Sequence, residues 1–570
     1  VCGTGAVEQY QVLDQLGLLV DKSLVVADDG AGIMRYRMLE TMRQYALEKL
    51  GESGEASTVR DRHRAYYTEK ATGTAPHLLS DWANGEFDNV RAALAWNLEV
   101  GDVETALRLA SALQPFWVAL ARFHEGLTWF DAALTDEPED VSTRVWVRAV
   151  ADHAVLSMWA VAPVSPEQVY AALSIARQLG DPSLIAAVLN ACGNLTLIEV
   201  ETCRMYLYEA ARMAGECGDR RTLCEIRLTQ AIAGPFGGDP GSRAAAEEGR
   251  GLADELEDRF MSWNIRCWLG ITLFTLGELD EAERTYRPLT TGTAPEERFR
   301  VCLANIGLAH VHAFRGKLDE ARACNDVALK TSAAMGGWAE DAIHTVVAFT
   351  ALAAGDGAAA RAACEMCWQR TVPQRQLFIR SLNPMTDALL ACGEVAAARR
   401  WADDTVAAVS GWHRMVALHA RSRVAIAQGE LDQAERDAHE SLALAAQTRG
   451  FIRLPDILER LAQLAVGSGE HQYAARLLGA AGAMRQRNGI VRYRIYDDEV
   501  AAAQAVARDM LGEADFQSAW NGGAALSADE AIAFAQRGRG VRKRPASGWE
   551  SLTPTEHDVV RQVSDGLSNK

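Results

Sequence analysis

Gly429-Glu430-Leu431-Asp432-Gln433-Ala434 opens a stretch in which Leu431, Ala434, Ala438, Leu442 and Ala445 follow one another at steps of 3, 4, 4 and 3. Those steps place small and apolar residues on one face of a helix. The same Gly, followed five residues later by Ala, recurs at Gly277/Ala282, Gly316/Ala321, Gly355/Ala360, Gly393/Ala398, Gly429/Ala434 and Gly469/Ala474. By subtraction, the glycines are 39, 39, 38, 36 and 40 residues apart. Leu279, Ala282, Tyr286 and Leu289 repeat the stripe in another copy. Glycine supplies a turn that a residue with a Cβ resists, and alanine lets two helix backbones approach closely. A unit of this length holds two helices of about four turns each with two short turns. Stacked, such units form an α-solenoid in which each repeat buries its stripe against its neighbours. Fainter copies stand upstream at Gly101/Ala106, Gly180-Asp181 and Gly218-Asp219.

The composition agrees. Of 570 residues, 49% are hydrophobic and 24% charged, the balance of a chain able to bury a large core and unlike that of a disordered one. That length exceeds one ordinary core and calls for several domains or a repeat array. A net charge of -18 argues against coating nucleic acid over the whole surface, so any DNA contact must be local. No signal peptide and no stretch of about eighteen uninterrupted apolar residues is present, which predicts a cytoplasmic chain without membrane contact. The missing initiator Met and the abrupt end at Asn569-Lys570 read as a fragment truncated at both ends.

Outside the array the pattern changes. Ser23 to Val26, the turn Asp28-Asp29-Gly30-Ala31-Gly32, Ile33 to Met38 and Leu39 to Leu50 read as strand, turn, strand and helix, a β-wing beside a helix. Near the other end, Arg537, Arg539, Arg542, Lys543 and Arg544 precede Pro545-Ala546-Ser547-Gly548, a composition suited to a flexible basic linker. Thr553 as N-cap, Pro554 at the first helical position and Glu556 form a capping box. Val559, Val560 and Val563 supply the inner face of that helix, Gly566 ends it, and Ser568 can cap a second.

These last residues resemble the opening of the LuxR-type helix-turn-helix. The matching positions are Leu552, Thr553, Pro554, Glu556, Gly566, Leu567, Ser568, Asn569 and Lys570, while His557 stands where the family often has Arg. The match covers the first helix and the start of the second. Leu19 to Val25 and Arg35 to Ala46 resemble the winged-helix end of the ATP-binding STAND module found in large actinobacterial regulators of this family. Phe87 to Trp96 resembles the opening of their tetratricopeptide-like domain, and Leu511 to Trp520 and Leu526 to Ala531 the segment that closes it.

The resemblance implies an all-α chain: a tetratricopeptide-like α-solenoid with a small N-terminal winged-helix remnant and the start of a C-terminal helix-turn-helix. The divisions are 1–58, winged-helix end of an upstream NTPase module; 60–495, solenoid; 496–536, closing helical segment; 537–551, basic linker; and 552–570, start of the helix-turn-helix. The implied function is transcription regulation, with the solenoid sensing a protein or small-molecule effector and the completed helix-turn-helix reading promoter DNA. Thr553, Asn569 and Lys570, with Arg542, Lys543 and Arg544 of the linker, are the implied DNA-binding residues. Lys570 is placed for phosphate, because the first two helices of such domains serve the backbone and the third reads bases. A homo-oligomer is compatible with this reading. Two other classes share the solenoid: a protein-protein interaction scaffold, and an ATP-dependent STAND signalling protein or cyclase-linked regulator whose catalytic part lies upstream.

Catalytic and metal chemistry find no support in the residues. Cys364 and Cys367 form the single C-x-x-C and read as buried, inert thiols. His310 and His312 are two apart on a stretch with helical spacing, unlike the i, i+4 pair of a zinc helix, and read as structural. Glu247-Glu248 and Asp497-Asp498 read as solvated helix faces, and Trp82, Trp96, Trp117 and Trp129 as knobs between helices. Phosphate binding requires a Gly-rich loop ending in Gly-Lys-Ser/Thr, whereas Gly316-Lys317 is followed by Leu318. No enzyme and no cofactor are therefore expected in this chain, ATP and magnesium belonging to the full-length parent. Titration with a fluorescent ATP analogue should show no saturable binding; magnesium-dependent binding at micromolar concentration would overturn these divisions.

Overall fold

The computed structural model describes residues 9–30, 33–74, 76–134, 141–197, 199–239, 241–294, 297–373, 376–538 and 560. Among them are twenty-nine α-helices and one two-stranded sheet, so the fold is all-α with a small wing. The wing pairs Val25–Gly30 with Ile33–Met38 antiparallel, Val25 opposite Met38 and Gly30 opposite Ile33. Arg35 ties it to the following helices through an ion pair with Glu86 at 3.2 Å. Much of this N-terminal layer is exposed, including Tyr10, Leu13, Leu18, Met34, Tyr36 and Tyr45.

From Phe87 onward, successive helices pack on their neighbours, and within each repeat the joint between its two helices is the repeat glycine. Gly277, Gly316, Gly355, Gly393, Gly429 and Gly469 all have φ between 68° and 84°, the left-handed conformation a side chain disfavours. Their partners Ala282, Ala321, Ala360, Ala398, Ala434 and Ala474 are completely buried. The upstream copies, and Gly355 within the array, use the same joint with one refinement. Gly101, Gly180, Gly218 and Gly355 are each followed by an Asp whose carboxylate accepts an amide proton from the first turn of the next helix. One residue ends a helix and the next begins another. The stripe of Leu279, Ala282, Tyr286 and Leu289 is buried throughout. That of the helix Leu431–Thr448 begins one step later than the spacing predicts: Leu431 is 52% exposed, while Ala434, Ala438, Leu442 and Ala445 are sealed.

The path of the array returns upon itself. The helix Arg220–Gly237 packs not only on its sequence neighbours but also on Gly411–Ala427 and Leu431–Thr448. At Gly238 a Cβ would stand 2.2 Å from the Cα of Thr448. Two backbone hydrogen bonds fasten the return: Ile452 N–H donates to Thr275 O at 3.1 Å, and Val491 N–H to Phe314 O at 2.7 Å. The indole N–H of Trp338 adds a third, to Trp159 O at 3.2 Å.

Because Ala434 has no free space around it, Ala434→Asp must bury a carboxylate without a partner and push two helices apart. We expect a loss of about 4 kcal/mol or more locally, seen as a clear fall in the thermal midpoint by circular dichroism. An unchanged midpoint would mean that the stripe is misassigned.

Candidate functional site

The return of the array encloses space. A cavity of about 330 Å³ is bounded by Trp159, Ile232, Trp268, Phe314, Trp338, Phe349 and Trp412, which come from six helices and one connecting segment and are far apart in sequence. The helices that precede the repeat glycines supply much of its wall. Arg259–Thr275 gives Trp268, Ile271, Phe274 and Thr275, and Arg298–Phe314 gives Leu303, Ile306, Gly307, His310 and Phe314. Steps of 3 and 4 put these residues on a second face of helices whose first face meets the neighbouring repeat. Tyr286 is wedged between the two helices, where a Cβ at Gly270 or Gly307 would overlap its ring. A second, more polar cavity of about 270 Å³ adjoins the first across Met158, Trp159 and Ile232, with Asp152, Arg221, Glu225 and Asp258 on its walls.

Several polar groups on the apolar cavity's wall have partners within the protein. Thr275 Oγ1 donates to Thr272 O at 2.9 Å, and Thr345 Oγ1 to Asp341 O at 3.2 Å. Arg453 is the only charged side chain among the lining residues and gives Nη1 to Asp456 at 3.1 Å. Its guanidinium also faces the rings of Phe314, Phe349 and Tyr493, with 4.8, 5.3 and 5.6 Å to their centroids. Trp268 Nε1 and Tyr286 Oη are sealed with no hydrogen-bond partner among the described residues, and the third side chain without one is His310. Its ring lies 5.5 Å from both Phe274 and Phe349, is half-buried, and makes no hydrogen bond among the described residues. Burial, with the nearby charge of Arg453, pushes its pKa down to about 4, so the imidazole is neutral at physiological pH.

Behind Arg453 lies a network of buried charge. Asp456 also pairs with Arg485 at 2.5 Å, Arg485 with Glu459 at 2.8 Å, and Glu459 with Arg492 at 2.8 Å. Beside it, Arg423 joins Asp387 at 2.5 Å to Glu499 at 2.8 Å, and Arg460 meets Glu499 at 2.8 Å. Burial alone would raise the carboxyl groups. For Asp456 it is outweighed by Arg485 and Arg453, which hold the group well below its usual range, and for Glu499 by Arg423 and Arg460, which bring it down to about 2.

Of the residues singled out in the sequence, Thr553, Asn569, Lys570, Arg542, Lys543 and Arg544 lie outside the described residues. Cys364 and Cys367 are buried, and burial pushes the Cys364 thiol far above its ordinary value. Glu247 pairs with Arg243 at 3.1 Å and Glu248 with Arg227 at 2.8 Å. Trp117 is a sealed knob against Phe87 and Phe116. Asp497 is not merely a solvated helix residue: it meets Arg492 at 3.4 Å, at the rim of the charge network. Among the described residues, no group of three or more His, Cys, Asp or Glu is arranged to hold a metal ion, and no helix is long and apolar enough to cross a membrane.

A helical-repeat array closed around an apolar cavity is thus the class that fold and site define. Along 99% of its length the chain is 45% identical to "Putative HTH-type transcriptional regulator Mb0914c" of Mycobacterium bovis, and equally to "Putative HTH-type transcriptional regulator Rv0890c" of Mycobacterium tuberculosis. It spans 65% of the length of these relatives. No protein-family model matches the chain. The solved structure of yeast Tom70 aligns over 92% of this chain and 100% of its own, at 13% identity and a TM-score of 0.32, too distant to bear on function.

The charge network yields a test with a defined sign. Glu499 has a lowered pKa in the folded state, so its contribution is complete above its unfolded value and is lost as pH falls toward about 2. Glu499→Gln leaves Arg423 and Arg460 short of a counter-charge and should cost about 3 kcal/mol at pH 7. In urea unfolding, the deficit relative to the unaltered chain should be the same at pH 7 and pH 5.5 and shrink below pH 4. A deficit independent of pH would assign the loss to packing.

Proposed function

We propose that the chain is the helical-repeat sensor portion of a cytoplasmic LuxR-type transcription regulator, joined by the basic linker to its DNA-binding domain. The observation that carries this reading is the 45% identity, sustained over nearly the whole chain, to relatives named as HTH-type transcriptional regulators. The residues Leu552 to Lys570, which resemble the opening of the LuxR-type helix-turn-helix, give the finer assignment. On this reading Thr553 caps the first helix, Asn569 and Lys570 begin the second, and Arg542, Lys543 and Arg544 add a salt-sensitive foothold on phosphates. The wing formed by Val25–Gly30 and Ile33–Met38 supports a winged-helix end to an upstream module, and ATP and magnesium belong to that module in the whole protein. The solenoid supplies the effector site and gives the chain itself no catalytic role. Its stacked helices also suit contacts with a protein partner or a second copy.

Base discrimination needs a helix inserted in the major groove, and in helix-turn-helix domains that helix follows the two represented here. Residues 1–570 should therefore bind DNA weakly at low salt, without sequence preference, and lose it steeply as salt rises. Adding roughly fifty residues to complete the domain should restore promoter-selective binding. Competition with unrelated DNA at physiological salt reads the difference. Selective binding by residues 1–570 alone would show that another surface reads sequence, and an extended chain without selectivity would favour an interaction scaffold.

A further inference from the structure

We infer that the apolar cavity is a binding site for a neutral, largely apolar small molecule that carries one polar group, held by the imidazole of His310. This deepens the reading of the solenoid as an effector sensor and rests on it only for the biological use of the ligand; the binding itself is independent of DNA.

Three observations converge. The first is size: protein interiors normally close gaps larger than a water molecule, whereas about 330 Å³ remains open between the helices here, within the roughly 300–1,000 Å³ of small-molecule sites.

The second is the chemistry of the wall. Trp159, Trp268, Phe314, Trp338 and Phe349 offer flat apolar surface. The one charged lining residue, Arg453, is already paired with Asp456. An ionised ligand would be stripped of water without gaining a counter-charge, which costs far more than an apolar contact returns. A neutral occupant suffers no such loss.

The third is His310. A neutral imidazole has one N–H donor and one nitrogen acceptor. Thr275, Thr345 and Arg453, also on the wall, direct their hydrogen bonds to the protein, whereas Trp268 Nε1, Tyr286 Oη and His310 have none among the described residues; the indole can only donate and the phenol is sealed, which leaves the half-buried imidazole as the group that can accept from a ligand. Phe274 and Phe349 fix its ring from two sides, so the polar group is positioned before anything binds. A ligand that covers this imidazole without pairing with it strands a polar group, which is costly, so one that pairs with it gains discrimination over a plain hydrocarbon.

The test uses residues 1–570 and two neutral fluorescent probes: N-phenyl-1-naphthylamine, which has an N–H for His310 to accept, and diphenylhexatriene, which has no polar group. Both should bind with a saturable rise in emission, at one probe per chain. Ala342→Trp and, separately, Ala233→Trp place an indole into the cavity from different walls, and each should weaken both probes at least tenfold while the thermal midpoint stays level or rises. His310→Phe keeps the ring and removes its nitrogens; it should weaken N-phenyl-1-naphthylamine about fivefold and leave diphenylhexatriene within twofold. Absence of saturable binding, or unchanged binding in a stably folded tryptophan variant, would overturn the site. Equal loss of both probes in His310→Phe would overturn the role of the imidazole. Neither result touches the DNA experiment, whose failure would remove the regulator and leave the cavity.

Discussion

Stacking alone lets an array of helix pairs bury one stripe per helix, but it encloses space only where its path comes back to itself. In this chain the return is fastened at the ends of inner helices. Thr275 O and Phe314 O, near helix termini and beyond the reach of the regular i to i−4 ladder, accept the amide protons of Ile452 and Val491. Gly238 brings the backbone of one arm against Thr448 in the other, at a separation no Cβ permits. The cavity depends on these few contacts. Without them the faces bearing Trp268, His310 and Phe349 would line an open groove in water.

Buried charge makes the same region particular. Replacing ionic networks with apolar residues is often no less stable, so their presence is weak evidence for stability in itself. Their effect here is positional. Arg453 stacks on Phe314 and Phe349, whose helices belong to middle repeats, while its carboxylate partner Asp456 is shared with Arg485 of the helix His471–Asn488. The aromatic faces accept a cation where they would tolerate an apolar residue in several orientations, and the carboxylate fixes its direction.

What could be read from the sequence follows from what is local. The Gly and Ala positions five apart are local, since a left-handed turn and a close helix contact are decided within one repeat, and all six glycines and alanines behave accordingly. Leu431 shows the limit of the pattern: like Leu279 it stands at the stripe's spacing and opens its helix, yet Leu279 is buried and Leu431 is exposed, a difference that one repeat's own spacing does not contain. The cavity escaped because it requires knowing which distant repeats meet. A signal was nonetheless present. Leu303, Gly307, His310 and Phe314 step by 4, 3 and 4 along one helix, a second patterned face that a simple two-helix stack does not need. Judged against metal-ligand spacing, His310 looked structural; it is the one polar position of that stripe. The residues assigned to DNA recognition, Thr553, Asn569 and Lys570 with Arg542, Lys543 and Arg544, fall outside the described residues and rest on the sequence alone.

A ligand can shift a protein's equilibrium only through contacts that differ between two arrangements. The connectivity limits where such contacts could lie. Most of the cavity wall consists of helices held on both sides by neighbouring repeats, which can yield only by disturbing a sealed core. Ile452 and Arg453, themselves buried, belong to the short connection between Leu431–Thr448 and Leu454–Gly467, joined to the other arm by a backbone bond to Thr275 and to the next helix by an ion pair with Asp456. From Arg453 the chain of contacts runs through Asp456, Arg485, Glu459 and Arg492 to Asp497, the first residue of the helix Asp497–Leu511. It therefore joins the cavity wall to the helices that precede the basic residues Arg539, Arg542, Lys543 and Arg544 in the sequence. Of all the wall segments, this connection is the one whose displacement would be felt at that end of the molecule.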